Sequence, residues 1–318
     1  MKKEKTLHKT SIGGQAIIEG VMMKGPKEIA MAVRKPDNEI IVEKRPVSSV
    51  IQKSKILKLP IIRGCIAFFE SLIIGVKALM FSAEFFDIEG EEVSQSKFEK
   101  WLDNKFGDKI KDIVIYFSVI LSVVFSIGLF FLLPNFITEL LAKYTALEVD
   151  GTPRTLIEGG IRIIIFFIYL ILVSNMKDIK RVFMYHGAEH KTIWTYERGE
   201  ELTVENIRKN PRLHPRCGTS FLIFVMIVSI IVFLIIPKGI SWYARAIYKI
   251  LLLPVVAGLS YEIIKFAGRY DNWFTNIISK PGMWFQYITT REPDDSQIEV
   301  AVASLKAVLT GNKEDDKW

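Results

Sequence analysis

The run IVIYFSVILSVVFSIGLFFLL, Ile113 to Leu133, holds 21 residues without a charge. At about 1.5 Å of rise per residue, a helix of that length crosses the roughly 30 Å hydrocarbon layer of a bilayer. This stretch decides the fold class: a membrane protein, mainly α. Composition agrees, since 50% of the 318 residues are hydrophobic and the mean hydropathy is +0.26.

Outward from this run, Cys217 to Ile236 is a second uncharged stretch, of 20 residues. Ile157 to Met176 carries Glu158 and Arg162 near its start, and Ala246 to Ala267 carries Lys249, Pro254, Glu262 and Lys265. Four transmembrane helices are therefore expected. A fifth apolar stretch, Pro60 to Phe86, has Arg63, Glu70, Lys77 and Glu84 at intervals of seven. A heptad spacing drifts by only about 20° on an α-helix, so these charges form one stripe that cannot face lipid cheaply. An interfacial or re-entrant helix is expected there.

Lysine and arginine counts orient the chain. There are 13 before Pro60, 5 in 85–112, 2 in 134–156, 9 in 177–216, 2 in 237–245 and 6 after Gly268. High and low counts alternate if Pro60 to Phe86 does not cross, which places both termini and the 177–216 loop on the cytoplasmic side of a cell membrane. Met1 to Leu59 has no apolar h-region before a small-residue cleavage site, so no signal peptide is expected. The net charge of +7 is concentrated beside the membrane segments, where the positive-inside bias and anionic lipid account for it. With no basic stripe interleaved with aromatics, nucleic acid is excluded as a partner and the lipid bilayer is expected as one.

Residues 1–59 read as a small β-rich cytoplasmic unit. Ala16 to Met23, Glu28 to Lys35 and Glu39 to Val47 are strand-like, with turns at Gly25-Pro26 and Pro36-Asp37-Asn38. Gly13, Gly14, Gly20 and Gly25 match neither phosphate-loop spacing and read as tight turns. A membrane domain over 60–267 follows, then a cytoplasmic tail over 268–318. In the tail, Ser296 and Glu299 predict a capping box, and Ile298, Val302, Leu305 and Leu309 one apolar face of a short amphipathic helix. Cys65 reads as core.

The chemistry gathers in the 177–216 loop and at its end. In YHGAEHK, Tyr185 to Lys191, His186 and His190 stand one helical turn apart with Glu189 beside them. H-x-x-E-H reverses the order of the zincin motif while presenting the same three groups, the glutamate serving there as general base for metal-activated water. HPRCGTS, from His214, adds His214 and Cys217 at the entrance of the next apolar run. Three of the four histidines and one of the two cysteines thus predict a metal site, with zinc preferred because the ligands are imidazole and thiolate. His186, His190, His214 and Cys217 would make a closed tetrahedron, the arrangement of structural sites; an enzyme needs one of them to be free. Glu262 is a further candidate carboxylate ligand.

The blocks IGGQAIIEGVMMKGP, YHGAEHKTI, HPRCGTSF, AGLSYEIIKF and PGMWFQYITTREPDDSQIEVAVASL occur in that order between Ile12 and Leu305. Together they resemble the YqhQ-like family of bacterial multi-pass membrane proteins. The resemblance implies a metal-dependent enzyme and carries over His186, Glu189, His190, His214 and Cys217 as metal-site residues. It also implies the Gly13 to Pro26 and Pro281 to Glu299 blocks as site walls. The expected function is a zinc-dependent hydrolase acting at the cytoplasmic face on a membrane-associated substrate, with Glu189 catalytic. The alternative is a non-enzymatic membrane scaffold or transport component with a structural zinc.

Overall fold

The computed structural model describes residues 8–86, 109–144, 151–270 and 272–318. Four strands open the chain: β1 (Gly13–Ile17), β2 (Gly20–Lys24), β3 (Glu28–Arg34) and β4 (Ile40–Pro46). Ten α-helices follow: α1 (Ile62–Ala83), α2 (Lys109–Ile127), α3 (Leu133–Tyr144), α4 (Gly151–Ser174), α5 (Lys177–Glu197), α6 (Val204–Lys209), α7 (Ser220–Phe233), α8 (Trp242–Arg269), α9 (Trp273–Thr289) and α10 (Asp295–Val308). The mainly helical class with a small N-terminal sheet is as expected, and residues 145–150, in the loop after α3, lie outside the described residues.

Among the described residues four helices are long and apolar enough to cross a membrane: Ile62–Phe86, Phe117–Tyr144, Gly151–Ser174 and Trp242–Arg269. Two segments thus differ in helix length from the sequence reading. The Pro60 stretch forms a helix of spanning length. The regular helix of the Cys217 run is only 14 residues, because three residues at its start turn to present Cys217 and residues 234–236 lie beyond its end.

The chain divides into two compact units. The first comprises residues 1–86, 169–232 and 252–318. Its sheet is an antiparallel meander in the order β1-β2-β3-β4. The expected single strand Ala16 to Met23 is in fact a hairpin, turning at Ile18-Glu19 with Glu19 at φ 47°. That turn lacks the Gly or Asn that would announce it. Its stability comes from outside the hairpin: the Glu19 carboxylate is gripped by the Arg181 guanidinium and accepts from the Tyr185 hydroxyl at 3.1 Å, both on α5.

Both faces of the sheet are covered. Val21, Met23, Ala30 and Ala32 pack with Tyr185 and Ala188 of α5 and Ile298, Ala301 and Leu305 of α10. Met22, Ile29, Met31 and Val33 pack on Ala78 and Phe81 of α1. Alternate residues of each strand serve opposite faces, so the strands read as continuous apolar runs. α10 is capped by Asp294 and Gln297, two residues ahead of the expected Ser296–Glu299 pair. Ile298 and Leu305 are buried as expected, while Val302 and Leu309 are only partly so.

Within the same unit α1 has two faces. Its N-terminal end meets α8, where Gly64 lies against the Gly258 carbonyl and Arg63 grips Glu262 at 2.5 and 2.7 Å. Glu70 accepts from the Ser49 hydroxyl and the Val50 amide at 2.9 and 2.6 Å. Half of the heptad charges are therefore spent on tertiary contacts. The opposite face leaves Phe69, Leu72, Ile73 and Val76 exposed.

The second unit comprises residues 87–168 and 233–251. Its buried charges answer one another: Glu158 of α4 accepts from Lys249 at 2.6 Å and from Arg154 at 3.2 Å, with Arg245 at 3.3 Å. A π-turn at Gly128–Leu132 separates α2 from α3, and there the Phe130 carbonyl accepts from Arg162 Nε at 3.0 Å. Glu158 and Lys249, one from each of two expected spans, are thus mutual partners, the arrangement an apolar surround requires.

Candidate metal centre

α5 begins after the extended residue Met176, and from Tyr185 to Ile193 every residue is buried. A helix buried all round for two turns is surrounded by other elements. Here they are β1, α10 and the 210–219 loop. Gly187 makes the crowding possible: a Cβ there would collide with the Arg291 backbone carbonyl.

The loop before α7 is pinned on both sides. Gln286 of α9 clamps the His214 backbone, accepting from its N–H and donating to its C=O, each at 2.8 Å. Trp194 Nε1 donates to the Leu213 carbonyl at 2.8 Å. The loop thereby delivers Cys217 to α5, where Sγ lies 3.2 Å from His186 Nε2 and 3.1 Å from the Thr219 hydroxyl.

His186, His190 and Cys217 offer one ligand atom each, all within 4.8 Å of one another, a group that could hold a metal ion. The outer nitrogens fix how the rings present themselves. His186 Nδ1 lies 2.8 Å from the Thr289 carbonyl, and His190 Nδ1 lies 2.6 Å from the Arg212 carbonyl. A carbonyl only accepts, so each Nδ1 carries the proton and each Nε2 lone pair points inward, the tautomer of a metal-ligating histidine.

Two buried atoms at this centre have no hydrogen-bond partner among the described residues: His190 Nε2 and Glu189 Oε2. Orphaned buried polar atoms are rare and ask for an explanation. The other Glu189 oxygen accepts from the Gly14 amide of β1 at 2.9 Å. An ion seated among the three ligand atoms would satisfy His190 Nε2 directly, and zinc–nitrogen and zinc–sulfur bonds of about 2.0 and 2.3 Å fit the observed spacing.

Electrostatics point the same way. Burial pushes the Cys217 thiol up, but the charges of His190 and His186 outweigh it and hold Cys217 well below its ordinary value. Burial pushes His186 down, and the adjacent Cys217 sulfur more than reverses this, raising it to about 9. Burial also raises Glu189, with His190 and His186 only partly offsetting it. The Cys217 sulfur is thus biased toward the thiolate, the form that binds a metal.

His214 is adjacent but differently employed. Its ring centroid is 5.8 Å from that of His190 and 5.0 Å from Trp194. Nδ1 accepts from the Arg216 amide at 3.4 Å, which leaves Nε2 to donate to Glu197 at 3.3 Å. Burial depresses its basicity. Glu197, wholly buried, also takes Arg216 at 2.5 Å and the Thr10 amide at 2.9 Å. Glu262 is not at this centre, being paired with Arg63.

The candidate wall blocks do reach the site, through Gly14 and Thr289. Residues that motif spacing did not single out are Arg212, Gln286, Glu197 and Arg216. They act through backbone groups or as partners of partners, for which sequence spacing carries no signal.

Residues 59–311 match the family described as "Protein of unknown function (DUF1385)". The chain is 36% identical over 302 residues to the "Uncharacterized protein YqhQ" of Bacillus subtilis (strain 168), covering 93% of this chain and 92% of that protein. No solved structure matches. With four apolar helices, a convergent His-His-Cys group and a match across nearly its whole length, the chain belongs to the DUF1385 family of YqhQ-like proteins.

Proposed function

We propose that the protein is a membrane-embedded, zinc-dependent hydrolase whose centre is His186, His190 and Cys217, with Glu189 as general base. The observation that carries this is the pair of orphaned atoms, His190 Nε2 and Glu189 Oε2, beside exactly three convergent ligands. Three protein ligands with a nearby free carboxylate is the pattern of a catalytic site, whereas a structural site closes with four. His214, with both nitrogens engaged, supports the same choice; its role is to hold the Cys217 loop through Glu197 and Arg216.

His186, His190 and Cys217 would hold zinc, which would supply Lewis acidity at the centre. The protein's own groups do the rest. Gly14 N–H holds one oxygen of Glu189, which leaves the other, Oε2, as the one able to act as base. It takes the proton of the attacking water and passes it to the leaving group, so that one bond is cleaved and one water consumed. The Nδ1 contacts to Thr289 and Arg212 keep both imidazoles in register throughout.

A membrane-associated substrate is favoured by α9. One face of this helix holds the centre through Gln286 and Thr289, and the other exposes Trp273, Ile277, Trp284 and Tyr287. At about 100° per residue these four lie within about 80° of one another, with exposed Lys280 between them. Tryptophan, tyrosine and lysine on one stripe suit the headgroup region. Parity supports the topology. β1 packs on α5, so both lie on one side of a bilayer and the chain between them crosses it an even number of times. With Phe117–Tyr144 and Gly151–Ser174 as that pair, α1 lies in the interface with its Phe69–Leu72–Ile73–Val76 face toward acyl chains.

The test is elemental analysis of protein purified without chelator, followed by Glu189→Gln. About one equivalent of zinc is expected, retained in Glu189→Gln while complementation of a deletion strain is lost. Absence of metal would sink the proposal; full complementation by Glu189→Gln would leave zinc as a structural element only.

A further inference from the structure

Resting on the metal-binding part of the reading above, we infer that Asp316 is a positioning residue for the candidate centre, acting through Thr10 and Glu197 on the loop that carries Cys217. Asp316 is buried, and its carboxylate meets three groups. The Tyr196 and Thr10 hydroxyls donate to Oδ2 at 2.7 and 3.0 Å, and His8 Nε2 lies 2.8 Å from Oδ1. The backbone joins the same segments. Thr10 and Lys317 form an antiparallel bridge, the Ser11 amide donates to the Asp316 carbonyl at 2.5 Å, and the Trp318 amide donates to the Lys9 carbonyl at 2.9 Å. Trp318 closes this ribbon against α8, where a Cβ on Gly268 would lie 2.6 Å from the indole ring.

Thr10 is where the ribbon meets the centre. Its N–H donates to Glu197 Oε1 at 2.9 Å, and its hydroxyl accepts from the Ile12 amide at 3.1 Å. In one direction, Glu197 takes Arg216 on both oxygens at 2.5 Å and the His214 ring at 3.3 Å, so the residues on either side of Pro215 are tied to it and Cys217 follows directly. In the other, Ile12 leads into β1, whose Gly14 amide holds Glu189. One threonine thus bears on the thiolate ligand and on the general base, and the Asp316 carboxylate fixes that threonine. The segment that delivers Asp316 does little else for the interior. Among the described residues, none beyond Leu309 belongs to either apolar core cluster. Its contribution is therefore orientation through hydrogen bonds, which a fully partnered buried network supplies.

The test uses full-length protein in detergent, stripped of metal and titrated with zinc against a chromophoric chelator. Cobalt(II) is then loaded in place of zinc, because its thiolate charge-transfer absorption reports the bond to Cys217. Asp316→Ala removes all three carboxylate contacts. Asp316→Asn keeps an acceptor oxygen for Thr10 and Tyr196 and turns its amide nitrogen toward His8. Thr10→Val cuts the link from the other side and keeps the amide that Glu197 uses. Zinc affinity should fall about tenfold in Asp316→Ala, with a weaker cobalt–thiolate band, and stay near wild type in Asp316→Asn. The double variant Asp316→Ala, Thr10→Val should lose no more than the weaker of the two single variants. A role in folding alone would lower the melting temperature and leave zinc affinity and the cobalt spectrum as in wild type, which overturns the inference; losses that multiply in the double variant also overturn it. If Asp316→Ala yields no folded protein, Thr10→Val decides, and wild-type zinc affinity there counts against the inference. Failure of the wild type to bind either ion removes the metal reading itself, and the inference with it.

Discussion

At Gly187 a single hydrogen decides whether the centre can assemble. Its Cα faces the Arg291 carbonyl, two residues from the Thr289 carbonyl that orients His186. Gly187→Ala should cost about 1–3 kcal/mol through overpacking, seen as a lower midpoint of thermal unfolding, and should weaken zinc retention because Thr289 is displaced. His190→Ala removes a ligand outright. Zinc content should fall well below one equivalent, measured by elemental analysis, and addition of a chelator should then no longer lower the melting temperature. A chelator-induced drop equal to that of wild type would place the metal elsewhere. Glu189 was legible from H-x-x-E-H; which of its oxygens is already engaged was not, since that depends on the amide of Gly14, 175 residues away.

Among the elements, α9 was the least visible in the sequence. Pro281 and Gly282 lie within it and argue locally against a helix. It forms because Asn272 and Thr275 cap its start reciprocally, and because Gly282 is where it meets Ser220 at the head of α7. With its aromatic stripe in the headgroup layer, Trp284 fluorescence in a variant lacking the other tryptophans should be quenched by lipids brominated near the interface more than by lipids brominated at the chain ends. Quenching by neither would remove α9 from the membrane surface. α7 shows the opposite discrepancy: its apolar run promises 20 residues, but the helix has 14, as Cys217 to Thr219 serve the site and residues 234–236 lie beyond the helix.

For the whole molecule, the sheet, α5 and α10 form one packed body, so the side of the membrane assigned to one belongs to all three. A cysteine introduced at Arg198 should resist an impermeant thiol reagent in intact cells, and one at exposed Lys238 should be labelled. The converse pattern would invert the topology and place the candidate centre outside the cell.

Uncharged runs near 20 residues, the lysine and arginine alternation and the His-Glu-His and His-Cys spacings are local properties, set by helix rise and side-chain chemistry. By themselves they pointed to a mainly helical chain with helices apolar enough to cross a membrane, and to the neighbourhood of the candidate centre. The number and identity of ligands were not local. Whether His214 joins His186, His190 and Cys217 depends on Glu197 and the Arg216 amide occupying its nitrogens, and whether Glu158, Arg162 and Lys249 spoil a membrane helix depends on their finding partners on other segments. Only tertiary structure decides such questions, because the free energy of a buried polar group is set by what stands opposite it and not by its neighbours in sequence.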